Sequence, residues 1–213
     1  MGCKAEVTIR FEKKGETTLK KRIYFDKEGD MKYISHLDTM RFLERLFKKA
    51  NIKVKFSEGF HPRPKMSFGN PVSLGVEAYN EVMDLELAID MDNDELLAKM
   101  NEFSPEGITF NSIEEVDRKA TIVNDFEVMI YEIKGSKENI DKIAAVLAQD
   151  EIIEERIKKR KLQRRDLKEK IVDFRVEGNV LYLEVKNTSP NAFLGVAGVG
   201  LAEVEMKKLG YKK

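Results

Sequence analysis

The chain holds two histidines, His36 and His61, and each stands in a stretch dense with other functional groups. Ser35-His36-Leu37-Asp38 sets a hydroxyl, an imidazole and a carboxylate close together. Gly59-Phe60-His61-Pro62-Arg63-Pro64-Lys65 interleaves rings, cations and prolines, and Phe68-Gly69 follows. An imidazole titrates near neutrality and can act as a general base. With Tyr24, Tyr33 or Lys65 at hand, His36 or His61 could support metal-independent RNA cleavage. Cations beside aromatic faces also hold single-stranded nucleic acid, by phosphate pairing and base stacking. The plainer readings are local hydrogen bonds for the histidines, core anchoring for Phe60 and Phe68, and solvated charge for Arg63 and Lys65.

The local elements decide how these groups are presented. Prolines 62 and 64 fix φ and push the residues before them toward extended geometry, so the loop is expected to be stiff without hydrogen bonds and to be neither helix nor strand. Stiffness lowers the entropy lost on binding. Ser35, with Asp38 three positions on, resembles a capping box. Leu37, Met40, Leu43, Phe47 and Ala50 then recur at three and four, which predicts an amphipathic helix. Arg41, Arg45, Lys48 and Lys49 fall opposite that stripe as one basic face, and Lys53 and Lys55 share a face of a predicted strand over 51–57. The candidate binding residues are therefore Ser35, His36, Asp38, Arg41, Arg45, Phe60, His61, Arg63, Lys65 and Phe68. His36 and Asp38, two apart on a helix, do not share a face for metal binding.

Around them the pattern reads as strand 20–26, helix from Ser35, strand 51–57, strand 81–90, helix 91–103 capped at Asp92 or Asn93, and strand 107–116. This β-α-β-β-α-β order is the ferredoxin-like pattern and is assigned to 20–117. Residues 118–213 begin β-α-β again, with a helix capped at Ser136, a basic strand near 151–161, a hairpin turning at Glu177-Gly178-Asn179 and a small terminal helix. The expected fold class is α+β: a ferredoxin-like unit followed by a second, degenerate one packed on it. A further hairpin is expected around Lys14-Gly15.

Lysine plus arginine equal aspartate plus glutamate at 38 each, yet the charge is segregated. Residues 41–65 carry eight basic and two acidic residues, 77–117 thirteen acidic and one basic, and 156–170 nine basic and two acidic. Blocks of this kind can give a neutral protein a local patch. The acidic block is expected to face away from the basic one, toward a protein partner. The lone Cys3 permits no disulfide within the chain and no thiolate set for zinc or an iron–sulfur cluster. No metal or cofactor is expected. No apolar run approaches the ~20 residues of a membrane span, so a cytoplasmic protein without membrane contact is expected. Walker, GxGxxG, GxSxG and HExxH motifs are missing.

Residues 29–87, "GDMKYISHLDTMRFLERLFKKANIKVKFSEGFHPRPKMSFGNPVSLGVEAYNEVMDLEL", resemble the radical SAM-linked proteins, a bacterial family of uncharacterised domains that stand alone or follow a radical SAM enzyme in one chain. Ser35–Asp38 and Gly59–Gly69 carry the resemblance most strongly, and it extends less clearly over about 20–190. It implies a radical SAM enzyme as partner. Lacking a cysteine triad, this chain would be the linked partner and not the radical enzyme. "NTSPNAFLGVAGVG" departs from the family's Ser/Gly-rich loop, and no role is carried over to it. At fold level, paired units with basic loops are also similar to RNA-binding modules of CRISPR repeat-processing endonucleases.

The leading expectation is a non-catalytic RNA- or substrate-binding partner of a radical SAM enzyme. The alternatives are a protein–protein adaptor docking on that enzyme without nucleic acid, and a ribonuclease using His36 or His61.

Overall fold

The computed structural model describes residues 19–158 and 161–212. Cys3 and the hairpin expected around Lys14-Gly15 lie outside them. Alternation at period two builds strand β1 (Lys20–Lys27), which turns Ile23, Phe25 and Lys27 to one face and Arg22 and Tyr24 to the other. Helix α1 (His36–Lys49) starts at Ser35, whose hydroxyl oxygen accepts from the Asp38 backbone N–H at 3.1 Å. It buries Leu43, Leu46 and Phe47, while Leu37, counted in the expected stripe, is exposed. Strand β2 (Met66–Phe68) and strand β3 (Glu77–Glu86) follow. Helix α2 (Asn93–Glu102) is capped by Asp92, which accepts from the backbone N–H groups of Asp94 and Glu95. Strand β4 (Ile108–Glu115) and a single turn of helix, α3 (Ile122–Asp125), complete this half.

The second half comprises strand β5 (Val128–Gly135), helix α4 (Lys137–Leu147) capped by Ser136, and strands β6 (Ile153–Lys158), β7 (Lys161–Asp166), β8 (Ile171–Glu177) and β9 (Val180–Lys186). Helix α5 (Asn191–Val196) and strand β10 (Val204–Lys212) end it. β8 and β9 are joined by Gly178-Asn179, where Gly178 takes the positive φ of 64° that the tight turn requires.

The result is a mixed α+β protein built on one large, mostly antiparallel sheet ordered β4-β1-β3-β10-β5-β9-β8. β3 joins the halves. Its end at Glu77-Ala78 pairs in parallel with Lys207-Lys208 of β10, and Met83–Leu85 pair antiparallel with β2. Helices α1 and α2 cover one core with β1, β3 and β4; α4 and α5 cover a second with β5 and β9. On the opposite face Val82, Ile122 and Phe126 form a third cluster. There Arg22 donates to both carboxylate oxygens of Asp84, at 2.7 and 3.1 Å, and to Asp125 at 2.6 Å, tying α3 to the sheet.

Three expectations are corrected. Residues 51–57 form no regular strand: Val54 and Phe56 make only isolated bridges, to Leu87 and Pro64, because β2 holds the neighbouring place on β3. That strand lies inside the loop expected to hold none. The expected terminal helix is strand β10, where Met206, Lys208 and Gly210 alternate into the interior. The charges of Lys207 and Lys208 conceal this alternation in the sequence. The basic segment near 151–161 does form strand, but among the described residues β6 pairs only with β7, in a hairpin separate from the large sheet.

Candidate functional site: a loop-tip surface and a cleft at the start of α1

The proline-rich segment is closed by hydrogen bonds, contrary to expectation. The Ser57 N–H donates to the Arg63 carbonyl at 2.8 Å, the Arg63 N–H to the Ser57 hydroxyl at 3.0 Å, and the Lys65 N–H to the Lys55 carbonyl at 2.7 Å. Residues 55–57 and 63–65 thus form a short clasp that holds up a tip containing Gly59 (φ 123°), Phe60 and His61. Phe60 is fully exposed and buries nothing against the core; His61 is exposed beside it.

The structure joins this loop to the basic face of α1. Arg63 reaches Glu44 at 3.1 Å, and an open groove is lined by Lys48, Lys53, Phe56, Pro64 and Ile89. Phe56 and Ile89 expose large apolar faces there. Several predicted cations already have acids beside them. Arg41 pairs with Asp38 at 3.2 Å, and Lys55 and Lys65 each approach Glu86 at 3.9 Å. Asp38 is held below the usual carboxylate range, first by the Ser35 hydroxyl and then by Arg41. Among the described residues Arg45, Lys48 and Lys53 make no ion pair. The acidic block does not simply face elsewhere: Glu81 and Asp84 turn inward to pair with Lys208 and Arg22, and Glu86 serves the loop.

Ser35, His36 and Phe68 belong to a second place. The His36 ring stands edge-on to Phe68, centroids 5.0 Å apart. The two border a cleft lined also by Lys27, Thr39, Val72 and Glu81. Thr39 donates to the Ser35 carbonyl at 3.0 Å, fixing the first turn of α1 at this rim. Gly69 is required here, because a Cβ on it would meet the Tyr211 hydroxyl at 2.0 Å. The ten predicted residues therefore divide: His36 and Phe68 line the cleft, with Ser35 anchoring its rim, while Phe60, His61 and Arg63 belong to the loop, linked through Glu44 to the α1 face. The two histidines serve different places.

Sequence reasoning missed Lys27, Glu81 and Lys208. Lys27 is 6% exposed, Glu81 8% and Lys208 0%. Lys208 Nζ lies 2.6 Å from Glu81 Oε1 and 3.8 Å from the centre of the Tyr211 ring. The contact is an ion pair without hydrogen-bond alignment, and among the described residues Lys208 Nζ and Glu81 Oε1 lack a hydrogen-bond partner. Burial holds Lys27 and Lys208 below the ordinary lysine value, and Glu81 opposes that shift at both. Burial likewise holds the Tyr211 hydroxyl well above its usual range. The signal was present at period two: Ile23 and Phe25 point inward, so Lys27 must follow, and Met83 and Leu85 place Glu81 on the same face. Among the described residues no three His, Cys, Asp or Glu side chains are placed to hold a metal ion, and no helix is long and apolar enough to cross a membrane.

Residues 20–193 match the model of a family described as "Uncharacterized protein conserved in bacteria (DUF2344)", and the chain belongs to that family. No curated protein matches it. Among solved structures, one described as an unknown protein from Galdieria sulphuraria is 12% identical and covers 90% of this chain and 98% of its own, with a TM-score of 0.29. So loose a superposition carries no inference about function.

Proposed function

We propose that this member of an uncharacterised bacterial family is a non-catalytic binding protein for single-stranded RNA, working beside a radical SAM enzyme. The observation that carries the reading is Phe60: a fully exposed ring on a hydrogen-bonded clasp, on the loop that Arg63 ties to the α1 face bearing Arg45 and Lys48. An exposed ring on a closed loop loses little entropy when a base stacks on it, and stacking tolerates any base. Lys48 and Lys53 along the groove suit the phosphates. The radical SAM partnership rests on the resemblance of Ser35–Asp38 and Gly59–Gly69 to that family, and a cytoplasmic location follows from it.

The test is binding of a single-stranded RNA across a salt series. Affinity should fall steeply with salt, at about 0.7 log units per log unit of salt for each phosphate contact. Arg45→Ala/Lys48→Ala/Lys53→Ala should make that slope shallower by about 2. Salt-independent binding, or none at low salt, contradicts the reading.

One observation favours the adaptor reading. Arg63, Arg41 and Lys65 already have acidic neighbours, while Phe56, Phe60 and Ile89 expose apolar surface in the same region. An adaptor would bind a protein partner through Phe60 with a weak response to salt. The ribonuclease reading is the weakest, since His36 packs on Phe68 in the cleft and His61 stands exposed on the loop.

Each half is further read as ferredoxin-like, meeting near residues 117–118. The antiparallel order β4-β1-β3 with β2 beside β3 supports this for the first half, and β10-β5-β9-β8 for the second, with the β6–β7 hairpin as an insertion.

A further inference from the structure

The cleft at the first turn of α1 has a charge imbalance that the loop-tip reading does not use. Lys27 and Glu81, both buried, line it, and the buried Lys208 contacts Glu81 without lining the cleft. Glu81 is taken by Lys208 at 2.6 Å. Among the described residues Lys27 has only a long contact, 3.4 Å, to the Ile34 carbonyl. Its ammonium is therefore buried without a counter-ion in contact among the described residues, an arrangement that costs several kcal/mol unless an anion or hydrogen bonds offset it. Two atoms of the neighbouring pair, Lys208 Nζ and Glu81 Oε1, are also short of hydrogen-bond partners.

The surroundings select what could enter. Phe25, Phe68 and Val72 give apolar walls, and His36 and Thr39 stand on the first turn of α1. The positive end of that helix adds to the field of Lys27. The cleft offers about 30 Å3, room for about two waters or one small polar head, and it opens to solvent.

We infer that this cleft binds a single oxyanionic group, a phosphate or a carboxylate, with Lys27 as its direct partner and His36 and Thr39 at its rim. The Glu81–Lys208 pair is a positioning element: Glu81 is in contact with Lys208 and acts on Lys27 only at longer range, which leaves the Lys27 ammonium a contact position for the ligand. Apolar walls strengthen the contact by excluding water. The inference stands apart from the RNA reading, because it uses neither Phe60 nor the α1 basic face.

The test uses the full chain with inorganic phosphate, acetate and adenosine 5′-monophosphate, each at matched ionic strength against sodium chloride. A saturable rise in Tm is expected for at least one, with shifts of the His36 and Thr39 amide signals at the same concentrations. Phosphate or the nucleotide acting alone identifies a phosphate head, and the nucleotide outbinding phosphate identifies a nucleotide as its source. Acetate acting alone identifies a carboxylate. Lys27→Met should fold, since it removes a buried charge, and should lose at least about tenfold in affinity. RNA binding at the loop should persist in that variant. The inference is overturned if no anion acts beyond chloride in wild type, if the amide signals that move lie elsewhere, or if Lys27→Met retains the effect.

Discussion

Lys208 Nζ lies 2.6 Å from Glu81 Oε1 where β10 meets β3, with the lysine side chain wholly buried and the glutamate side chain nearly so. The pair sits beside the parallel contact that joins the halves. Removing the carboxylate would leave Lys27 and Lys208 buried together without it. Glu81→Gln is expected to lower stability by about 3–5 kcal/mol in urea unfolding. Glu81→Leu/Lys208→Met should recover most of that loss, because an apolar pair of similar volume avoids the desolvation of both charges.

Gly69→Ala should also destabilise, by about 1–3 kcal/mol, since the new Cβ collides with the Tyr211 hydroxyl. Tyr211→Phe in the same chain should restore part of the loss. The rescue is partial because Tyr211 Cζ would still lie 2.9 Å from the Cβ. Thermal unfolding of the three variants tests the contact.

Burial lowers the pKa of Lys27 in the folded state below the ordinary 10.5. Between those two values the unfolded chain binds more protons than the folded one, so this group makes stability rise with pH through that window. Lys208 has the same sign. Lysines with raised values, such as Lys207, act oppositely, as do the buried tyrosines. The informative quantity is the difference between wild type and Lys27→Met. That variant should gain most at lower pH, and its advantage should shrink as pH rises through the folded-state value. A constant advantage below pH 10 would mean Lys27 stays charged in the fold, with its pKa unshifted.

Asp84→Ala should cost about 3–5 kcal/mol, because Arg22, 4% exposed, then loses a bidentate partner in the interior. Asp125→Ala should cost less, since its carboxylate is partly solvated. Chemical denaturation of both single variants gives the ranking.

What the sequence disclosed follows from how each element is stabilised. α1, α2, α4 and the β8–β9 turn were legible because Ser35, Asp92, Ser136 and Gly178 act locally. The strand at 51–57 misled because Ile52 and Val54 are buried by packing and not by a ladder, while Met66–Phe68 won the neighbouring place on β3. β10 was misread because its partners, β3 and β5, are distant in the chain. The loop and the basic helix face were visible as composition. The cleft was not, because Lys27, Glu81 and Lys208 each look like ordinary surface charge until β3 and β10 bring them together.

Phe60→Ala separates binding from folding. The ring is fully exposed, so stability should change by no more than about 0.5 kcal/mol. Single-stranded RNA binding should weaken by about 1–3 kcal/mol, the worth of one stacked base. Unchanged RNA affinity would remove Phe60 from the interface.

The most direct measurement is photo-crosslinking of the purified chain to a uridine-rich oligonucleotide, followed by identification of the crosslinked residues. The account predicts crosslinks at Phe60 and His61, with others along Lys53–Phe56. RNA bound and crosslinked only elsewhere, such as on the β6–β7 hairpin, or no RNA bound at low salt, would contradict it.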